Sequence, residues 1–587
     1  MSTESKTTAS VSGLRPDVAA IVSAPTTQVL VIGGGINGIA TFRDLALQGV
    51  DVVLVERNDF CSGASAASSH MIHGGVRYLE NGEFRLVRES VQERNRLLRL
   101  APHYVKPLPT TIPIFSTFSG ILSAPLRFLT HKQQGKPKER GALLIKLGLT
   151  GYDSFSRDGG NVPRHQFAGR AASLAKLPEL RRDVKYTATY FDAAVENPER
   201  LALDLVADAR ATGPHARSAN YIEAIGVRGD DVLLRDTVTG TEFSVSASVV
   251  VNTTGPWTDL TNTALGRPTE FMGGTKGSHI VLDNPALFDA CAGGEVFFEN
   301  NDGRIVLIYP LNGKVLVGTT DIPADMGQPA VCTEEEVDYF FELVSHVFPK
   351  VPVDRSQIVF RYSGVRPLPS EDAAPGFVSR DYRIEKTPFG ESGAVKMLSL
   401  VGGKWTTFRA LSEHISTDTL EILGVDRRVS TEDLAMGGGV GFPTAGAETD
   451  AWIANHSGGL GRARTAQLLA RYGTKAADVI AFLQTAGDQP LGALEGFSAG
   501  EIEYLCEREF VVHLGDLFLR RTIIAFAGGL TQPVFDELAS VVASALGWSD
   551  EQLATERLAA VENLALFHGL ALVAASPVAD RPAADAV

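Results

Sequence analysis

The sequence predicts an α/β fold built around a parallel sheet that presents a nucleotide-binding turn. Three observations carry this. Apolar runs at 28–32 (QVLVI), 248–252 (SVVVN) and 397–401 (MLSLV) each end in small or turn-forming residues, as buried parallel strands do. The first leads straight into Gly33-Gly34-Gly35-Ile36-Asn37-Gly38. Stretches such as 277–282 and 304–318 alternate strand and turn character, which reads as an antiparallel sheet inserted into the nucleotide-binding unit.

Taken in order, residues 1–26 are rich in Ser, Thr and Ala and lack a basic start followed by an apolar run. They are expected to form a disordered tail, not a signal peptide. Order should begin near Thr27. Residues 36–48 have helical spacing, with Ile36, Ile39, Ala40, Leu45 and Leu47 as apolar positions, and 52–55 form the next strand. The nucleotide-binding unit is expected over 27–430, with substrate or cap segments inserted at about 101–185 and 271–355. Residues 431–448 read as a linker, Gly/Pro-rich from 437 to 446. Residues 449–573 read as a helical domain, with a capping-box signal from Ser498 to Glu501, and 574–587 as a second tail.

The chain has 587 residues, enough for two or three domains. Its net charge of −15 argues against general nucleic-acid binding, which needs a basic field, but leaves room for a small basic pocket. Cys61, Cys291, Cys332 and Cys506 are far apart and form no CxxC pair, so a reducing cytosol fits better than a disulfide framework. The His and acidic residues show no metal-ligand spacing, and no catalytic metal is expected. No nucleophile-elbow sequence is present. No run of about 18 uncharged apolar residues suggests a transmembrane helix.

The glycine turn matches G-x-G-x-x-G at Gly33, Gly35 and Gly38. The first glycine permits the tight turn, the second lets backbone approach a pyrophosphate, and the third lets helix and strand pack closely. The helix N-terminus that follows, with Asn37 in its first turn, suits an anion. Glu56, at the end of the second strand, is placed to accept hydrogen bonds from a ribose and disfavours a 2′-phosphate. A late turn, Gly402-Gly403-Lys404-Trp405-Thr406-Thr407, lies between a strand and a helix. Viewed alone, such a turn is more often structural. Facing a flavin it could stabilise negative charge near N1, which favours FAD over NAD.

Together these residues resemble the FAD-dependent, quinone-linked glycerol-3-phosphate dehydrogenase family, from about residue 28 to about 570. The most specific piece is Ser65-Ala66-Ala67-Ser68-Ser69-His70-Met71-Ile72-His73-Gly74-Gly75-Val76-Arg77-Tyr78-Leu79-Glu80. Others are Val251-Asn252-Thr253-Thr254-Gly255-Pro256-Trp257, Lys276-Gly277-Ser278-His279, Tyr362-Ser363-Gly364-Val365-Arg366-Pro367-Leu368 and Ser379-Arg380-Asp381-Tyr382. The resemblance implies a D-amino-acid-oxidase-like FAD domain, a sheet-based substrate domain and a C-terminal helical domain. It implies non-covalent FAD held by the glycine turn, Ser68, His73, Gly75, Gly255, Gly402, Gly403 and Thr406. It places Arg77, Tyr78, Arg366, Arg380 and Lys404 around glycerol 3-phosphate. The chain departs from relatives in having His70 where they often have Lys, and Trp405 after Lys404.

The implied reaction is oxidation of the substrate to dihydroxyacetone phosphate, with electrons passing to a quinone. An Arg is a poor base because its pKa exceeds 12, so His279 suits the C2 hydroxyl proton better, with Arg366 stabilising the developing alkoxide. His73 is a second candidate base, equally well read as a hydrogen-bonding residue of its glycine-rich turn. Two other functions stay open at this level: an oxidase that reduces oxygen, and a flavin-containing sensor of glycerol phosphate without turnover. A homodimer is also allowed.

Within 111–149, apolar stretches at 112–129 and 142–149 flank a basic segment. From Arg127 to Lys146 six cations stand against the single acid Glu139. Such a segment can bind an anionic leaflet, which would place the protein on the cytoplasmic face of the inner membrane, or it can be a solvated loop.

Overall fold

The computed structural model describes residues 13–75, 84–116, 142–156, 162–300, 304–370 and 381–574. The parallel strands fall where the apolar runs put them. Thr26–Ile32 is flanked by Glu242–Asn252 and Val52–Glu56, both parallel to it, and Val395–Val401 adds beyond Glu242–Asn252. An antiparallel strand, Arg383–Phe389, closes that edge. The other edge is Ala216–Asn220 (ARSAN), which no apolar run announced. All five of its residues are buried, and Arg15 bonds Asn220 through both its side-chain amide oxygen and its carbonyl. Its long polar side chains are partnered: Arg217 donates to Asp51 (2.6 Å) and Asn220 to Asp59 (2.9 Å).

The expectation of a disordered tail through residue 26 is corrected by a helix at Pro16–Ser23. Val18 and Ile21 are fully buried against the parallel sheet, beside Leu30, Val53 and Ala219. Asp17 pairs with Arg210, and Arg15 with Asp236. A two-turn helix is too short for periodicity to reveal, and packing supplies its stability.

Among the described residues the second sheet has ten strands. Met272–Leu282 lies between Ile358–Pro369 and Lys314–Gly318, antiparallel to both. Lys314–Gly318 forms a hairpin with Ile305–Leu311 through Asn312 and Gly313, both at positive φ, as a two-residue hairpin turn favours. The long pair Val105–Ile114 and Tyr186–Val195 completes its other half.

The C-terminal helices, from Gly446–His456 to Asp550–His568, do not form an isolated core. Leu505, Phe518 and Phe535 belong to the same buried cluster as Val281, Leu307, Tyr309 and Phe360 of the second sheet. The junction at Gly437–Gly439 is buried, with Gly438 and Gly437 donating to Asp204 (3.0 Å) and Asp208 (2.9 Å). At Ser498 the cap accepts from Glu501 N (3.2 Å) as anticipated. The reciprocal half of the box is missing: the Glu501 carboxylate is held instead by Tyr472 (2.6 Å), Arg464 (2.8 Å) and Arg471. Among the described residues no helix is long and apolar enough to cross a membrane.

Candidate functional site

The end of the first strand turns sharply at Gly33, whose φ is +108°. A Cβ there would lie 2.8 Å from the Thr253 carbonyl carbon, and one at Gly38 only 1.9 Å from the Gly33 oxygen. Gly35 is different. It is the N-cap of Ile36–Leu47 at φ −79° and ψ 175°, a conformation open to any residue. Among the described residues the only atom near an added Cβ is Ser65 Oγ, at 3.2 Å. The protein alone therefore has little need of glycine at 35, whereas a ligand approaching the helix N-terminus does. Ser65 Oγ accepts from Ile36 N (3.0 Å), and the first bond back along the helix is Ile39 N to Gly35 O (2.9 Å). The N–H groups of Asn37 and Gly38 precede that bond and suit an anion.

Glu56 closes one end of this cradle. Its carboxylate accepts from Gly34 N (2.6 Å) and Asn58 N (2.9 Å) while staying partly exposed. Burial raises its pKa against the pull of those two bonds. It thus braces the glycine turn, and a ribose would share its remaining lone pairs.

The late turn packs onto the same cradle. Trp405 Nε1 donates to Ser65 O (2.9 Å), and Thr406 Oγ1 to His73 O (3.3 Å). Gly402 and Gly403 are left-handed, and a Cβ on Gly403 would lie 2.8 Å from Asn37 Nδ2. Gly255 opens the short turn Gly255–Trp257, directly after Thr253 and Thr254 behind Gly33. The Ser68 hydroxyl accepts from His70 N (3.2 Å), and its carbonyl from Tyr362 OH (2.8 Å). Gly75 has φ +76° and is the last described residue before the gap that holds Arg77 and Tyr78. Those two and Arg380 lie outside the described residues. Lys404 leaves the late turn toward the helix Phe84–Leu100, where its Nζ donates to Ser90 Oγ (2.7 Å).

His279 and Arg366 sit on neighbouring strands. His279 is paired opposite Tyr362, and its ring stacks on that tyrosine at 4.8 Å and 12°. Its Nε2 is 2.8 Å from Ser69 Oγ, while Nδ1 has no hydrogen-bond partner among the described residues. Burial, then the nearby charge of Arg366, holds its pKa well below 6.5, so the imidazole is neutral. Arg366 is not a freely extended cation. Its Nη1 donates to Asp321 (2.9 Å), and its Nη2 to Thr319 Oγ1 (3.0 Å) and Thr320 O (2.9 Å).

Residues 28–406 match the FAD dependent oxidoreductase family, and 396–553 match the C-terminal domain of alpha-glycerophosphate oxidase. A glycerol-3-phosphate dehydrogenase of Synechocystis is 33% identical over 89% of this chain and 94% of its own length. The chain belongs to the FAD-dependent glycerol-3-phosphate dehydrogenase family. A D-erythritol 1-phosphate dehydrogenase of Brucella abortus is 32% identical over 85% of this chain and 94% of its own. The fold is that of the FAD-complexed glycerol-3-phosphate dehydrogenase of Bacillus halodurans, with a TM-score of 0.71 at 24% identity, over 93% of this chain and 96% of that one.

The family's cofactor is FAD, and the cradle suits it: Gly35 leaves room at the helix N-terminus, Glu56 stands at one end and the late turn at the other. Sequence reasoning missed Ser65 and Trp405 as the pieces joining these turns. Their contacts span 29 and 340 residues, and no local pattern marks them. The departure at His70 is also explained in part. It is buried at φ +56°, with Nδ1 3.1 Å from Val195 O, and burial pulls its pKa down to about 4. A neutral imidazole thus stands at this position.

Proposed function

We propose that this chain oxidises sn-glycerol 3-phosphate to dihydroxyacetone phosphate and passes the electrons to a membrane quinone. FAD, held by the glycine turn at 33–38 and the late turn at 402–407, would supply the hydride acceptor. The observation that carries this reading is a neutral His279 beside Arg366, on strands that adjoin the flavin turns through Ser68 and Ser69. With Nε2–H donating to Ser69 Oγ, His279 Nδ1 is the atom that accepts the C2 hydroxyl proton. Arg366 steadies the oxygen as that proton leaves, and Lys404, with Arg77, Tyr78 and Arg380, holds the phosphate. Arrival of a dianion offsets the charge of Arg366 and raises the basicity of His279 at the moment it is needed.

The similarity to a D-erythritol 1-phosphate dehydrogenase favours a second reading, in which a four-carbon polyol phosphate is the better substrate. One experiment separates the cases. Under anaerobic conditions glycerol 3-phosphate should bleach the bound flavin, faster than D-erythritol 1-phosphate, and a soluble quinone should restore the colour. The reverse order of rates would transfer the assignment to the longer substrate. Rapid peroxide release in air would make the protein an oxidase, and no bleaching with either would make it a sensor.

We also propose peripheral docking of the segment 111–149, apart from residues 111–114 that pair within the second sheet, on the cytoplasmic face of the inner membrane, where a quinone resides. Its basic cluster lies outside the described residues. In support, the adjoining helix Ala142–Ser156 exposes Leu143 beside an exposed Lys146. Replacing Lys132, Lys136, Lys138 and Arg140 with Glu should release the protein from anionic vesicles and leave activity with a soluble dye intact. Unchanged vesicle binding would refute the docking.

A further inference from the structure

On the side of Met272–Leu282 facing the helix Glu334–Val347, a polar cluster is buried behind Arg366. Glu336, in the first turn of that helix, is 3% exposed. It completes a capping box with Thr333, whose N–H donates to Glu336 Oε2 (2.9 Å). Capping alone needs no buried carboxylate. Here Oε2 also accepts from Lys276 Nζ (2.8 Å), and Oε1 accepts from Ser278 Oγ (2.8 Å) and Thr320 Oγ1 (2.6 Å). Burial pushes the Glu336 pKa up, but the bonds from Lys276, Thr320, Thr333 and Ser278 outweigh it and hold the group ionised.

Thr320 faces both ways. Its hydroxyl donates to Glu336 and accepts from Ser278 N (2.9 Å), while its carbonyl accepts from Arg366 Nη2 (2.9 Å). Thr319 and Asp321 also accept from the guanidinium. The strand before this bracket ends at Gly318, and the next ladder contact begins at Ile322. Sheet pairing therefore does not hold residues 319–321 in place.

We propose that Glu336 is a positioning residue which, through Thr320, holds the 319–321 bracket and so aims the Arg366 guanidinium at the substrate. This rests on the reading of Arg366 as a substrate contact. Removing the link leaves Arg366 and its charge present but lets its plane wander. A misplacement of that size costs transition-state stabilisation without changing composition at the site.

The test is a double-mutant cycle on the holoenzyme, read as kcat/KM for glycerol 3-phosphate. Thr320→Val keeps the shape and the carbonyl but removes the hydroxyl. It should lower kcat/KM about 10-fold, and Arg366→Lys about 100-fold. The double variant should be no worse than Arg366→Lys alone, since no guanidinium remains to be aimed. Thr320→Ser, which restores the hydroxyl without the methyl, should return kcat/KM to within about 2-fold of the parent. If Thr320→Val does not fold, Glu336→Gln takes its place in the cycle. Multiplicative losses in the double variant, or failure of Thr320→Ser to rescue, would overturn the positioning role and leave Arg366 as a substrate contact. A near-parent Arg366→Lys would overturn that contact and the proposal with it.

Discussion

Gly35→Ala separates what the protein asks of its glycine turn from what the flavin asks. The backbone at 35 admits alanine, and only Ser65 Oγ stands close, at 3.2 Å from the new Cβ. Ser65 must shift by a few tenths of an ångström, weakening its bond to Ile36 N, worth about 1 kcal/mol at most. Alanine is a slightly poorer N-cap than glycine, by roughly 0.5 kcal/mol. The stiffer unfolded chain returns about 0.4–1 kcal/mol. The apoprotein should thus keep its stability to within about 1 kcal/mol. FAD binding should suffer far more, because the Cβ stands where pyrophosphate approaches backbone N–H groups. Losing two charge-assisted bonds of about 1.5 kcal/mol each raises the Kd at least about 100-fold. Gly38→Ala is the control: its Cβ would meet Gly33 O at 1.9 Å and Thr253 Oγ1 at 2.4 Å, so folding and FAD binding should fail together. The assay pairs flavin-fluorescence titration of apoprotein with its denaturant midpoint. A Gly35→Ala protein with parental FAD affinity, or one as unstable as Gly38→Ala, would refute the reasoning.

Arg366→Ala and Lys404→Ala should each lower kcat/KM for glycerol 3-phosphate at least about 100-fold, and near-normal kinetics in both would sink the pocket assignment. Because burial and Arg366 hold the His279 pKa of the free protein well below 6.5, kcat/KM should show no loss from this histidine centred on its ordinary pKa. His279→Ala should lose kcat more than it raises KM, and an unchanged kcat would remove His279 as the base. Glu295 gives a stability test: it is fully buried, takes one bond from Thr110 (2.9 Å), and burial raises its pKa to about 8. The native state keeps this proton where the unfolded chain has released it, so stability is full below pH 4.5 and is lost as pH rises toward 8. At about 1.4 kcal/mol per pH unit, Glu295→Gln should gain up to about 3 kcal/mol at pH 7 and nothing at pH 4.5. Equal gains at both pH values in denaturant unfolding would show that the effect is not ionisation.

Much of this molecule is written locally. The runs QVLVI, SVVVN and MLSLV became parallel strands because short apolar runs, broken in the last by Ser399, can be buried on both faces inside such a sheet. The glycines at 33 and 38 were legible because the positive φ of one and the approach of the other to Gly33 O are set within a few residues, and Glu56 because strand geometry puts it at a known distance from them. Tertiary structure decided what depends on distant partners. Pro16–Ser23 is a helix because Val18 and Ile21 find a sheet to cover, and ARSAN is a strand whose Arg217 and Asn220 are met by Asp51, Asp59 and Arg15. Glu501 completes no capping box because Arg464, Arg471 and Tyr472 reach it first. At the site, the types of His279 and Arg366 were readable, but not their states. The neutrality of one and the bracketing of the other arise from burial and from charges brought together by folding, sums over contacts that no short stretch of sequence contains.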